Sequence, residues 1–226
     1  SDLTIAAGCT DLFPITNNMS LDKDILDITN IKSIKGFQFN SKETKIGSAT
    51  TWTDIINENL PSCYDMLKAC AKEVGSIQIQ NLGTIGGNIC NASPAADSIP
   101  CLLALDAKLE LSSANNQRII PIDEFILGSR KTKLEQGEIL TSIIIPKEKE
   151  NGSSSFRKIG ARKYLVISIS MVACRILISN NIVEDISISV GSCSEVAKRI
   201  FSIERQLIKK DINAVSYTHL RAHETV

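Results

Sequence analysis

The sequence predicts an α+β fold, and three observations carry that prediction. Short apolar runs bounded by Gly, Pro or Asn recur along the chain, as strands require. Between them, Met66, Leu67, Ala69, Cys70 and Val74 recur at helical spacing. A charged and then small stretch, KEKENGSSS at 147–155, has the composition of a linker and separates a mixed first part from a strand-rich second part.

The elements follow in order. Residues 3–7 form a short apolar strand that stops at Gly8, and Cys9-Thr10-Asp11 is a polar turn. Residues 27–28, 36–39 and 45–50 read as further short strands. Thr53 or Asp54 can cap a helix that runs to Leu60, where Pro61 ends it. Residues 63–74 form a second amphipathic helix, and a glycine-rich segment follows. Residues 99–105 are a buried helix, and 108–111 alternate as a strand that turns at Asn115-Asn116 into 118–122, a hairpin. Residues 138–145 are a strong strand stopped by Pro146. Beyond the linker, 167–178 are apolar and β-branched, Asn180-Asn181 is a turn, 182–190 pair back, and 195–208 form a helix.

Composition excludes some classes of function. The 226 residues hold 43% hydrophobic and 22% charged side chains, which are globular values. Lys+Arg and Asp+Glu balance at 25 each, so no global field recruits nucleic acid or an anionic membrane. No apolar run reaches the length of a membrane span, and the chain is expected to be soluble and cytoplasmic. Its seven cysteines are scattered without a C-x-x-C pair, which argues against an iron–sulfur or zinc site. Both chain ends read as unnatural. The first strand starts at once without an initiator Met, so a fragment is expected. The closing residues 216–226 resemble translated adapter sequence and are set aside, with His219 and His223.

The segment GTIGGNICNASPAAD at 83–97 is the most unusual part of the chain. Glycine serves where φ must be positive or where another group must approach closer than a Cβ allows. Successive main-chain N–H groups in such a loop converge on an anion. Alone, Gly86-Gly87-Asn88 is better explained by a tight turn than by a phosphate site. A second polar turn, AAGCTD at 6–11, strengthens the reading, because a buried strand ending in Gly-x-Thr suits a diphosphate. Neither loop is G-x-G-x-x-G or a Walker loop, so a nicotinamide Rossmann site and a Walker site both fail.

Five blocks in order, TIAAGCTDL, IGSATTWTDI, IQNLGTIGGNICNASPAAD, GEILTSIIIP and FRKIGARKYLVISI, resemble the FAD-binding medium subunit of molybdenum hydroxylases. That family includes the flavin subunits of xanthine dehydrogenase and carbon monoxide dehydrogenase. The resemblance covers roughly residues 3–200. It implies a two-subdomain FAD-binding domain of PCMH type over 1–150, missing its N-terminal part, and a smaller, truncated α+β domain over 151–215. It further implies that Ala6, Ala7, Gly8, Cys9, Thr10 and Asp11 hold the diphosphate. Thr84, Ile85, Gly86, Gly87, Asn88 and Asn91 form the second FAD loop. Asp97 bonds the flavin end, Leu140 lies at the flavin, and Lys158 reaches towards it. The chain departs from the family at Ala7-Gly8-Cys9, where Gly-Gly or Gly-Asn is usual, and Ala7 can expose its N–H only at negative φ.

The implied activity is electron transfer: a subunit that takes electrons from iron–sulfur clusters and passes them to NAD+ or another acceptor. Its partners would be an iron–sulfur subunit and a molybdopterin-binding subunit. Two other readings are a stand-alone flavin oxidoreductase on the related fold and a degenerate assembly subunit without FAD. Simpler roles stand beside the site assignments: Asp97 as a helix N-cap, Lys158 with Arg157 as a solvated face, Cys90 and Cys101 as buried thiols, Trp52 as packing.

Overall fold

A computed structural model describes residues 3–15, 24–162 and 166–212. The tail 216–226 and residues 163–165 of the last block lie outside them.

The chain opens with β1 (Thr4–Ala6), the short helix α1 (Leu12–Ile15) and β2 (Ile25–Asp27), which pairs with β1 in parallel. Next come β3 (Phe37–Phe39), β4 (Glu43–Gly47), α2 (Trp52–Asn57), α3 (Asp65–Glu73), α4 (Ile77–Leu82), α5 (Ile85–Asn91) and α6 (Ser98–Ala104). Strands β5 (Lys108–Ser112) and β6 (Gln117–Pro121) make the expected hairpin, followed by α7 (Ile122–Phe125). The small hairpin β7 (Ile126–Gly128) and β8 (Lys131–Thr132) precedes β9 (Ile139–Pro146). The remainder is β10 (Ser153–Gly160), β11 (Ser168–Ser179), β12 (Ile182–Gly191), β13 (Lys198–Arg199) and α8 (Phe201–Leu207).

Two larger sheets organise these elements. One has the order β3-β4-β9-β5-β6, and the other β10-β11-β12-β13; neighbours in both are antiparallel. The alternation in β9 and β5 puts Ile143, Ile145, Leu109 and Leu111 wholly inside. Their core is shared with Trp52, Leu67, Ile85, Ile89 and Leu102 from the helices and with Phe156, Met171 and Ala173 from the second sheet. Each such side chain contributes roughly 1.5–3 kcal/mol on burial. A small separate cluster, Ile28, Ile34 and Ala49 with Ala7 against it, lies under the β1–β2 pair.

Several expectations need correction. The cap of α2 is Thr51, which accepts from Asp54 N while Asp54 accepts from Thr51 N, so Asp54 closes a capping box at N3 instead of starting the helix. Residues 147–155 are not a free linker: a 3-10 turn runs straight into β10, Glu150 is buried on Tyr64, and Ser154 bonds Met66 N. The helix expected over 195–208 begins only at Phe201, because Lys198 and Arg199 pair with β12 first. Asn180 and Asn181 do form the turn, both left-handed, as a two-residue hairpin requires.

Candidate functional site

Residues 48–51 leave β4 beside residues 83–86, which enter α5. Gly86 N donates to Ser48 O at 2.9 Å, Ile85 N to Thr50 O at 3.0 Å, and Trp52 N to Gly83 O at 3.2 Å. This pinned entry forms one wall of a cleft of about 440 Å³. The turn after β1 forms the opposite wall, with Leu134, Glu138, Ile139 and Leu140 also lining it.

The first turn suits an anion. Among the described residues, the main-chain N–H groups of Ala7, Gly8, Cys9 and Thr10 take no hydrogen bond. Gly8 lies so close to α4 that a Cβ would fall 1.8 Å from Leu82 O. Ala7 is not among the residues with positive φ, so it meets the condition the sequence set; Cys9 is, at 55°. The Cys9 thiol donates back to Ala7 O at 3.1 Å, and burial, then the Asp27 charge, push its pKa up.

The second segment differs from the open loop expected of it. Thr84 caps α5 by accepting from Gly87 N at 3.0 Å, and Asn88 N is bonded to Thr84 O. With Ile85 and Gly86 already bonded, these four N–H groups are committed within the protein. The glycines act by absence of a side chain instead. A Cβ on Gly86 would lie 2.6 Å from Ser48 Cβ and 2.7 Å from Ser48 O, so Gly86 is required for packing. Gly87 is exposed in the cleft, and its missing Cβ would meet only Thr84 Oγ1, at 3.0 Å. That leaves bare backbone facing the ligand space.

The surrounding polar groups are tied down. Asn88 Oδ1 accepts from Ser98 Oγ at 2.6 Å. Asn91 Nδ2 donates to Asp11 Oδ2 at 3.0 Å, which joins the two walls. Arg118 forks onto Glu138 at 2.7 and 2.8 Å and holds that carboxyl below the usual glutamate range.

Of the predicted site residues, Ala6 through Asp11, Thr84, Gly86, Gly87, Asn88, Asn91 and Leu140 line this cleft. Ile85 is in the core. Asp97 and Lys158 lie elsewhere and bond each other: Lys158 Nζ reaches Asp97 Oδ2 at 2.9 Å, and Ser168 Oγ donates to Asp97 Oδ1 at 2.6 Å. Both side chains are only 8% exposed. The solvated-face reading of Lys158 therefore fails. So does side-chain capping by Asp97, which stands at the N-cap of α6 but makes no capping bond. Cys101 is buried, and burial pushes the half-buried Cys90 thiol up to about 12. Ser48, Trp52, Val74 and Ile79 also line the cleft and were missed; small and apolar residues give no chemical signal in a sequence.

A dinucleotide needs main-chain donors for its diphosphate, bare backbone for close approach, and an apolar wall for a ring. The first turn, Gly87 and Leu140 supply these in one cleft, so the residues present fit the group that the resemblance implies. Fold and cleft together define an α+β dinucleotide-binding protein of non-Rossmann type. Residues 1–148 match the family model described as the FAD binding domain in molybdopterin dehydrogenase. The chain is 31% identical over 209 residues to the glyceraldehyde dehydrogenase medium chain of Sulfolobus acidocaldarius, covering 92% of this chain and 74% of that one. It is 33% identical over 191 residues to the xanthine dehydrogenase FAD-binding subunit of Escherichia coli O157:H7, covering 83% and 65%. Carbon monoxide dehydrogenase from Hydrogenophaga pseudoflava superposes with a TM-score of 0.84 at 26% identity, over 96% of this chain and 76% of that one. The chain belongs to the family of FAD binding domains in molybdopterin dehydrogenases. Its cofactor is FAD and it is part of an oxidoreductase.

No helix among the described residues is long and apolar enough to cross a membrane. No group of three or more His, Cys, Asp or Glu among them is placed to hold a metal ion.

Proposed function

We propose that this chain is the electron-transfer flavin subunit of a cytoplasmic molybdenum hydroxylase-type dehydrogenase. It takes electrons from the iron–sulfur clusters of one partner subunit and passes them to NAD+ or another acceptor. A molybdopterin-binding subunit completes the complex. The observation that carries this reading is the one cleft lined both by residues 7–10, whose N–H groups are unbonded among the described residues, and by bare backbone at Gly87. Bound FAD supplies the redox chemistry, and the protein supplies placement and electrostatics.

In this reading Ala7–Thr10 donate main-chain hydrogen bonds to the diphosphate, and Gly87 lets it approach. Thr84, Asn88 and Asn91 set the shape of the opposite wall, and Leu140 excludes water from the ring. Asp97 and Lys158 act as positioning residues that join the start of α6 to β10 and β11, since their charged atoms are bonded to each other, to Ser168 and to groups of Glu73 and Val166. Residues 1–150 form the cofactor domain and 151–215 the second domain, a division supported by the extent of the family match and by the separate sheets.

An absorbance scan of the purified full chain tests the reading. Flavin bands released by acid are expected, with bleaching under NADH if a nicotinamide is the acceptor. Bands retained in acid would favour a stand-alone enzyme with covalent flavin, and absent bands a degenerate assembly subunit. Co-purification with iron–sulfur and molybdopterin-binding chains tests the partners.

A further inference from the structure

We infer that Arg130 is a positioning residue of the cofactor cleft, holding the turn 6–11 in place through Asn91 and Asp11. The inference rests on the reading of that cleft as the FAD site. Arg130 is at the tip of the β7–β8 hairpin in the left-handed region, with φ 57°. Its main-chain N–H donates to Ala92 O at 2.8 Å, which docks the tip onto the end of α5, where Ala92 is itself left-handed at φ 46°. Its guanidinium donates to Asn91 Oδ1, and Asn91 Nδ2 donates to Asp11 Oδ2. Arginine only donates and an ionised aspartate only accepts, so one orientation of the Asn91 amide satisfies both ends. The relay runs from hairpin to helix to turn, with a charge at each end that strengthens its hydrogen bonds.

The turn 6–11 needs such a tether. Its strand β1 is three residues long and, among the described residues, pairs only with the three residues of β2. The cluster beneath it is separate from the main core. Among the described residues its N–H groups at 7–10 bond to nothing in the protein. Asp11–Asn91 is the side-chain bond that ties the turn across to α5. When the guanidinium is removed, Asn91 loses the partner that orients it, and the turn loses its fixed distance from Gly87. The stretch RKTK at 130–133 carries no motif that points to this role.

The test uses the full chain and Arg130→Asn. Asparagine tolerates the left-handed tip and keeps the main-chain bond to Ala92, but it cannot reach Asn91. Alkylation of Cys9 in FAD-free protein, followed by peptide mapping, reports the order of the turn, with exposed Cys193 as the internal reference. Cys9 should react about five- to tenfold faster, Cys193 at an unchanged rate, and FAD should bind about tenfold more weakly, with little change in melting temperature. Arg130→Lys should retain part of both properties. In an Asn91→Ala background, Arg130→Asn should add nothing further. Unchanged Cys9 labelling, or an additive effect in that background, overturns the inference. Failure of the parent chain to bind FAD would instead overturn the cofactor reading, while the Cys9 rates would still judge the tether.

Discussion

Gly86 and Gly87 are neighbours, yet the structure assigns them opposite sensitivities. Gly86→Ala would put a Cβ 2.6–3.0 Å from Ser48 Cβ, O and Cα, two of them main-chain atoms, where no rotamer change gives relief. Overpacking of this kind costs about 1–3 kcal/mol, against up to about 1 kcal/mol regained by alanine over glycine in a helix. At this chain length each net kcal/mol lowers the melting temperature by about 2–4 °C. The Cβ of Gly87→Val would meet only the Thr84 hydroxyl, at 3.0 Å, so the expected cost to the fold is loss of that cap, about 1 kcal/mol. Its branched side chain would instead stand in the cleft where the ligand approaches. Gly87→Val should therefore lose FAD by at least about tenfold with a nearly native melting temperature, whereas Gly86→Ala should lose stability first. Calorimetry and flavin titration on both variants decide it. Parental FAD affinity in Gly87→Val would refute the assignment of that wall.

Asp97→Ala leaves the buried Lys158 ammonium with only the more distant Glu73 carboxylate, at 3.9 Å, and should cost about 3 kcal/mol, read from chemical denaturation; recovery in Asp97→Ala/Lys158→Met would confirm that the loss is the poorly compensated charge. Stability should also fall in acid. Arg118 lowers the Glu138 pKa; burial would raise that of Glu150, but Lys147, Thr44 and Tyr64 more than offset it. Groups lowered in the folded state stabilise above their ordinary value of 4.5 and lose that contribution as pH falls through the lowered value, so a urea midpoint constant from pH 6 to 3 would contradict the assignment. In native protein at neutral pH, a thiol reagent should modify Cys193 and spare Cys63 and Cys90, whose thiols burial pushes up to about 11 and about 12.

Much of the architecture was legible where a strand carries its own stop signal: Gly8 after β1, Pro146 at the end of β9, Asn180-Asn181 between β11 and β12; β7, β8, β10 and β13 were not read. The helices α4 and α5 were not legible. Helix α4 buries none of its residues, and the buried start of α5 is set against the segment 48–52 after β4 by main-chain bonds between positions far apart in sequence. The same long-range contact explains why Ser48 and Trp52 were overlooked at the cleft. Asp97 and Lys158 were visible as charged residues, but their mutual burial depends on α6 packing on β11 and β12 and α3 on β10, which joins residues 61 positions apart. Local pattern reveals chemistry at a turn, whereas partnership across elements needs the packed molecule.

The shared core has a consequence for how the protein comes apart. Phe156, Met171 and Ala173 from the second sheet bury their surface in the same cluster as Leu67 and Leu102, and Lys158 and Ser168 supply both partners of the Asp97 carboxylate. Cutting the chain near residue 150 would expose apolar surface on both pieces and strand a charge in one of them. The first part holds most of that core and the second sheet leans on it, so the two sheets are expected to melt in a single calorimetric transition.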